Sequence, residues 1–281
     1  MSKIENTVKK LQLSIENNVS LKGSYSILDY VEIANEINVP IIVVDGITIE
    51  ERNKLITETS NSKFEFVSLT HIYESVLDTS YDLEQTILSI KNYLINMDSK
   101  QHIIVSRKNI SSSSIEEIKK NLAKIRFQHE LVCVYSNANK ILKWAATDRR
   151  IDFISVDLHK NASLIDSALC SLMKQNGKLL EISLSSLLTS KDDKYFSQIL
   201  RNGKKLMKLL KQNHVPFTFS MSPISPLHLR NGSQMRYLGE LLGISYNKSK
   251  NSVFENQFSK LVSNIIKIHD SSILDGVKEV Q

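Results

Sequence analysis

Glu181 is the residue whose surroundings most resemble those of a catalytic acid or base. It lies inside the apolar run 178–183, KLLEIS, and an acid near the C-terminal end of a barrel strand reads as catalytic. The competing reading is a buried carboxylate paired with an arginine or a backbone amide, and no second acid or base converges on it in the sequence. Asp157-Leu158-His159, directly after the apolar run 151–156, is the best metal-like string. A divalent catalytic site needs several histidines and carboxylates together. His71, His102, His129, His214, His228 and His269 form no pair at ligand spacing. The expectation is therefore no metal site and no catalytic residue. Walker-type, dinucleotide-binding, zincin and nucleophile-elbow motifs are all missing from the 281 residues.

Cations form a stronger pattern. The chain carries a net charge of +6, and residues 191–212 alone carry +5. Within that stretch Arg201, Lys204, Lys205 and Lys208 follow i, i+3, i+4, i+7 spacing, which puts them on one face of a helix. Phe196, Ile199, Leu206, Met207 and Leu210 take the other face. A basic stripe on a helix whose apolar side packs inward suits phosphate contacts or an acidic protein partner; the alternative is a helix that is merely solvated. Smaller clusters, Arg107-Lys108, Arg149-Arg150 and Arg230, are equally suited to phosphate and to structural ion pairs. Few aromatics lie near them, which argues against base stacking on a single strand.

These residues must be positioned by an α/β scaffold. Near-continuous apolar runs at 40–44, 64–69, 102–106, 131–135, 151–156, 178–183 and 215–220 read as strands buried on both faces. Between them, helical periodicity marks 25–38, 114–125, 164–175, 195–212, 233–242 and 254–268. Alternation of strand and helix predicts parallel βαβ units. Asn38-Val39-Pro40 and His214-Val215-Pro216 echo each other as helix end, Val-Pro, strand, a repeated unit or a coincidence. An eighth strand near the N-terminus is not visible as an apolar run, and 4–19 has room for a helix. Residues 70–100 read as an insertion or a long crossover. No Gly/Pro-rich linker divides 1–281, so the expectation is one domain: a single TIM-barrel-like unit with mostly parallel strands.

Hydrophobic residues at 41% and charged residues at 23% exclude a disordered chain or a rod. No secretory signal and no apolar segment of spanning length are read, so no membrane association is expected. Cys133 and Cys170 sit in apolar runs without C-x-x-C spacing, which reads as two buried reduced thiols in a cytoplasmic protein.

From Glu181 onward the residues take on a family likeness. Glu181-Ile182-Ser183, Leu187-Leu188, Arg201 on the basic helix, Val215-Pro216 before a run ending in Ser220, Leu229-Arg230 and Leu241-Leu242-Gly243-Ile244 resemble the thirty-kilodalton protein subunit of ribonuclease P. Ile104-Val105-Ser106-Arg107, the run 131–135 and the run 150–155 resemble the same family. The likeness covers roughly residues 102–245, the span between its first and last motifs. It departs where the family's Ser-Gly-Ala is Ser220-Met221-Ser222 and where its Arg-x-Pro is Arg230-Asn231-Gly232. The Asp-Leu-His string in turn is similar to the opening of a metal-dependent phosphoesterase barrel, but the second histidine is replaced by Asn161.

The resemblance implies a phosphoesterase-like barrel without its metal site, of archaeal type. It implies a subunit of the ribonucleoprotein endonuclease that matures the 5′ ends of precursor tRNA, with the isolated chain non-catalytic. The chain would bind no cofactor, since Mg²⁺ belongs to the RNA component. Its partners would be the RNase P RNA, a small protein subunit of the Pop-five type, other RNase P proteins and, indirectly, precursor tRNA. Arg107, Arg201 and Arg230 match the family's recurring arginines and become candidate RNA or partner contacts. Lys204, Lys205 and Lys208 join them on the helix-face argument alone. Two alternatives stand beside this reading, a metal-dependent phosphoesterase of the same barrel class and a protein-interaction module without RNA. The modest charged fraction argues against a hyperthermophile.

Overall fold

The computed structural model describes residues 13–21, 23–59, 63–76 and 82–269. Eight strands run through it: β1 (Ile15–Ser20), β2 (Ile41–Asp45), β3 (Glu65–Val67), β4 (Gln101–Ser111), β5 (Leu131–Tyr135), β6 (Phe153–Asp157), β7 (Leu179–Ser183) and β8 (Phe217–Ser220). They form one sheet in the order β1-β2-β4-β5-β6-β7-β8, and every pairing is parallel. The long β4 makes this order work. It pairs β3 through residues 101–103, β2 through 103–107 and β5 through 107–111.

The two ends of this order, β1 and β8, are joined by side chains. The buried Glu16 carboxylate accepts hydrogen bonds from Ser220 Oγ at 2.7 Å and from the backbone N–H groups of Met221 at 3.0 Å and Ser222 at 3.3 Å. The result is a nearly closed barrel. Alternation along each strand sorts its side chains. Ile41, Val43, Ile103, Val105, Leu131, Cys133, Phe153 and Leu179 gather in one cluster, covered by Phe258, Leu261, Val262 and Ile265 of the C-terminal helix Asn256–His269. Val132, Val134, Ile154, Val156, Leu180 and Ile182 instead face the outer helices.

The Val-Pro echo is a repeated structural device. Asn38 and His214 both end a helix in the left-handed region, with φ of 59° and 52°. The following Val39 and Val215 N–H groups bond back to Ala34 O at 2.8 Å and Leu210 O at 3.1 Å. That closes each helix in the manner of a Schellman turn before the proline starts the strand.

One expectation changes. The N-terminal segment, where no eighth strand was visible and 4–19 left room for a helix, holds strand β1 (Ile15–Ser20), and residues 4–12 of that stretch lie outside the described residues. Its apolar pattern is broken because Glu16 and Asn17 carry buried polar side chains, the first accepting from Ser220 across the barrel seam and the second donating to Gln257 of the C-terminal helix. Of the 70–100 stretch, read as an insertion or a long crossover, the described residues hold two helices between β3 and β4, Leu69–Val76 and Leu83–Asn96, whose Leu69, Ile72, Ile90 and Leu94 join the interior cluster; residues 77–81 lie outside the described residues.

Candidate functional site

Arg107 and Glu181 meet in the centre of the barrel. Arg107 Nη1 and Nη2 donate to Glu181 Oε1 and Oε2, each at 2.6 Å, and both side chains are 0% exposed. Nη1 also donates to Asn17 O at 2.6 Å, and Nε donates to Asn109 Oδ1 at 2.8 Å. Burial alone would lower the guanidinium's pKa, but the adjacent Glu181 carboxylate drives it upward, so Arg107 is charged at any working pH. Burial pushes the neighbouring Cys133 thiol far above its ordinary range and leaves it unreactive. Glu181 therefore has both oxygens committed to a structural pair and does not serve as a general base. Arg107 lies inside the protein, out of reach of any RNA or partner surface. Its charge at a strand end signalled a contact, but its partner, 74 residues away, was not visible in the sequence.

The Asp157-Leu158-His159 string builds a turn. Asp157 Oδ1 accepts from His159 N at 2.8 Å and Lys160 N at 3.0 Å. Asn161, fully buried, accepts from Asp157 N at 2.8 Å and donates to Ser136 O at 3.0 Å, tying the ends of β6 and β5 together. Among the described residues no three His, Cys, Asp or Glu side chains come together as a metal site. Around the C-terminal rim Asn109 Nδ2 donates to Asn18 Oδ1 at 2.7 Å, and Asn18 Nδ2 donates to Ser222 Oγ at 3.1 Å. These amides and hydroxyls hold the rim together alongside the Glu16, Asp45 and Asp157 carboxylates.

The basic stripe is on the surface. It sits on the 21-residue helix Asp193–Asn213, capped by the Asp192 side chain on Tyr195 N. Ile199, Gly203, Leu206, Met207 and Leu210 are its buried side, while Arg201, Lys204, Lys205 and Lys208 are exposed. Gly203 permits the close packing, because a Cβ there would lie 2.6 Å from Leu242 Cδ2. Beside this helix runs an open groove of about 1240 Å³. Lys204 and Lys208 line it, with Lys211 and Lys248, which were not among the candidate contacts. Lys211 lies one heptad beyond Lys204 on the same face, so helical spacing could have found it; Lys248 comes from a turn that carries no such signal.

Arg230 is half-buried in the segment after β8. Its Nη1 donates to Leu227 O at 2.8 Å and Leu229 O at 2.6 Å, which folds the loop around it. Arg150 pairs with Asp148 through Nε at 2.9 Å and Nη2 at 2.6 Å, the structural use of that basic cluster.

The family model of RNase P subunit p30 matches residues 34–268. The chain belongs to the RNase P p30 family. As an RNase P protein subunit it has its part in tRNA processing. Among solved structures, a chain of the cryo-EM structure of archaeal ribonuclease P with mature tRNA has a TM-score of 0.59 and 18% identity. The match covers 86% of this chain and 98% of that one. The crystal structure of an uncharacterized protein follows with a TM-score of 0.54 and 13% identity, covering 90% of this chain and 75% of that one. No curated protein matches the sequence. The structural likenesses show the shared TIM-barrel-like fold. The family match of this p30 chain spans both the locked interior and the basic helix.

Proposed function

We propose that this p30 subunit supports the catalytic RNA of ribonuclease P through its outer basic surface and takes no part in bond cleavage. The observation that carries this reading is the contrast between the two sets of charges. Inside, Arg107 and Glu181 neutralise each other at 2.6 Å. Outside, Arg201, Lys204, Lys205 and Lys208 stand exposed on one helix face. Cations at a surface reduce phosphate repulsion, so an RNA can fold compactly and hold its own Mg²⁺.

The p30 chain would act with the RNase P RNA, a small protein subunit of the Pop-five type and the other RNase P proteins, in the cytoplasm. No helix of the described residues is long and apolar enough to cross a membrane. Arg201 and the three lysines are the proposed contacts, and Arg230 is a contact only through whatever part of its half-buried side chain the loop leaves open. Purifying the chain from native cells and sequencing the RNA it retains tests the reading. Recovery of RNase P RNA is expected; recovery of no RNA overturns it. RNA-free protein should cleave no precursor tRNA with Mg²⁺, Mn²⁺ or Zn²⁺, and metal-dependent cleavage would restore the phosphoesterase reading.

A further inference from the structure

The groove beside the basic helix is built differently from the stripe on its crest. Its wall carries Lys204, Lys208, Lys211 and, across from them, Lys248. Among the described residues no carboxylate lines it. The floor is apolar, with half-buried Pro216, Phe217 and Ile244 between the buried Met207 and Leu242. Exposed Asn247 and Asn251 side chains stand at the edge as amide donors and acceptors. Arg201 and Lys205 do not line it; on the helix they turn to the far side of the stripe. The volume, about 1240 Å³, exceeds the usual small-molecule site and fits a length of polymer.

We infer that this groove is the docking site of an acidic, amphipathic segment of a partner protein. Apolar side chains of such a segment cover Pro216, Phe217 and Ile244, and its carboxylates meet the lysine wall. Charge complementarity sets its orientation, and the mode is that of an amphipathic helix laid in a groove. A phosphodiester backbone would satisfy the lysines but leave the apolar floor of Pro216, Phe217 and Ile244 uncovered, and among the described residues only the Phe217 and His214 rings line the groove for a base. The groove therefore places a protein-binding wall at Lys211 on the helix and Lys248 on the facing turn, while Arg201 and Lys205 stay on the RNA-facing crest and Lys204 and Lys208 stand on the ridge between the two. The inference stands on the groove and goes beyond the RNA-support role.

The test uses the assembly purified on the full-length tagged chain. Carbodiimide joins a lysine amine to a carboxylate in direct contact, and peptide mass spectrometry reads the joined pair. The expected result is Lys211 or Lys248 coupled to an Asp or Glu of another protein, in a stretch with apolar residues at helical spacing. The double variant Lys211→Glu/Lys248→Glu should then lower recovery of that protein about tenfold, while Arg201→Glu/Lys205→Glu changes it less than about twofold. Both pairs are exposed, so neither variant disturbs the core. Ultraviolet coupling of the groove to RNA, acetylation of Lys211 and Lys248 as fast in the assembly as in the isolated chain, or equal loss from both variants would each overturn the inference. An assembly without RNase P RNA would contradict the RNA-support role and leave this result to be read by itself.

Discussion

Arg107 and Glu181 share two hydrogen bonds of 2.6 Å at the middle of the barrel, with no exposure of either side chain. A pair so placed is costly to break on one side. Glu181→Gln or Arg107→Met is expected to lose about 3–5 kcal/mol, because the remaining partner is left buried without its match. The double variant Arg107→Met/Glu181→Leu should recover most of that loss, since apolar replacement of a whole buried pair is close to neutral. Urea unfolding midpoints measure both, and a wild-type midpoint for Glu181→Gln would contradict the pairing.

His102, near the start of β4, is 2% exposed and held to a pKa of about 4, mainly by burial. The unfolded chain takes up this proton near 6.5, but the folded chain resists it down to about 4. The associated stability is thus fully present above pH 6.5 and is lost as pH falls from there to 4. The loss amounts to about 2–3 kcal/mol at the acid end. His129 is shifted in the same direction, also mainly by burial. Comparison with His102→Phe, which keeps the ring against Phe64, isolates the effect. Parallel stability curves for the two proteins between pH 7 and 4.5 would contradict it.

Asn161 follows the Asp157-Leu158-His159 string, two residues after its histidine. Asn161→Ala leaves the Asp157 N–H and the Ser136 carbonyl without their buried partner and should cost about 2 kcal/mol. Asn161→His should destabilise as well and create no stoichiometric Mn²⁺ or Zn²⁺ site, because Asp157 Oδ1 already accepts two backbone N–H groups. Calorimetric titration checks this. Binding of one equivalent of metal would show that the barrel end is a latent metal site.

Elements with a strong local pattern were legible in the sequence. The strand expected at 131–135 is Leu131–Tyr135, and the helix expected at 195–212 is Asp193–Asn213. Strand β1 was hidden because Glu16 and Asn17 put buried polar groups into what would otherwise be an apolar run. The exposed face of Arg201, Lys204, Lys205 and Lys208 followed from helical spacing alone. Glu181 was legible as a carboxylate with a structural reading, but Arg107 as its partner was not. Nor was the buried pair of Arg52 and Glu130, 78 residues apart at 2.7 Å. Spacing along a chain reports which residues share a face of one element; it does not report which distant elements the barrel brings together.

The basic stripe of Arg201, Lys204, Lys205 and Lys208 carries the central claim, and reconstituted cleavage of precursor tRNA tests it most directly. Wild-type chain and the variant with Arg201, Lys204, Lys205 and Lys208 changed to Ala are compared across Mg²⁺ and salt concentrations. The account predicts a marked loss of activity at low Mg²⁺ or high salt and recovery at high Mg²⁺. It also predicts an RNA-affinity salt slope shallower by about one for each phosphate contact removed. Identical activity and identical salt dependence for the two proteins would contradict it.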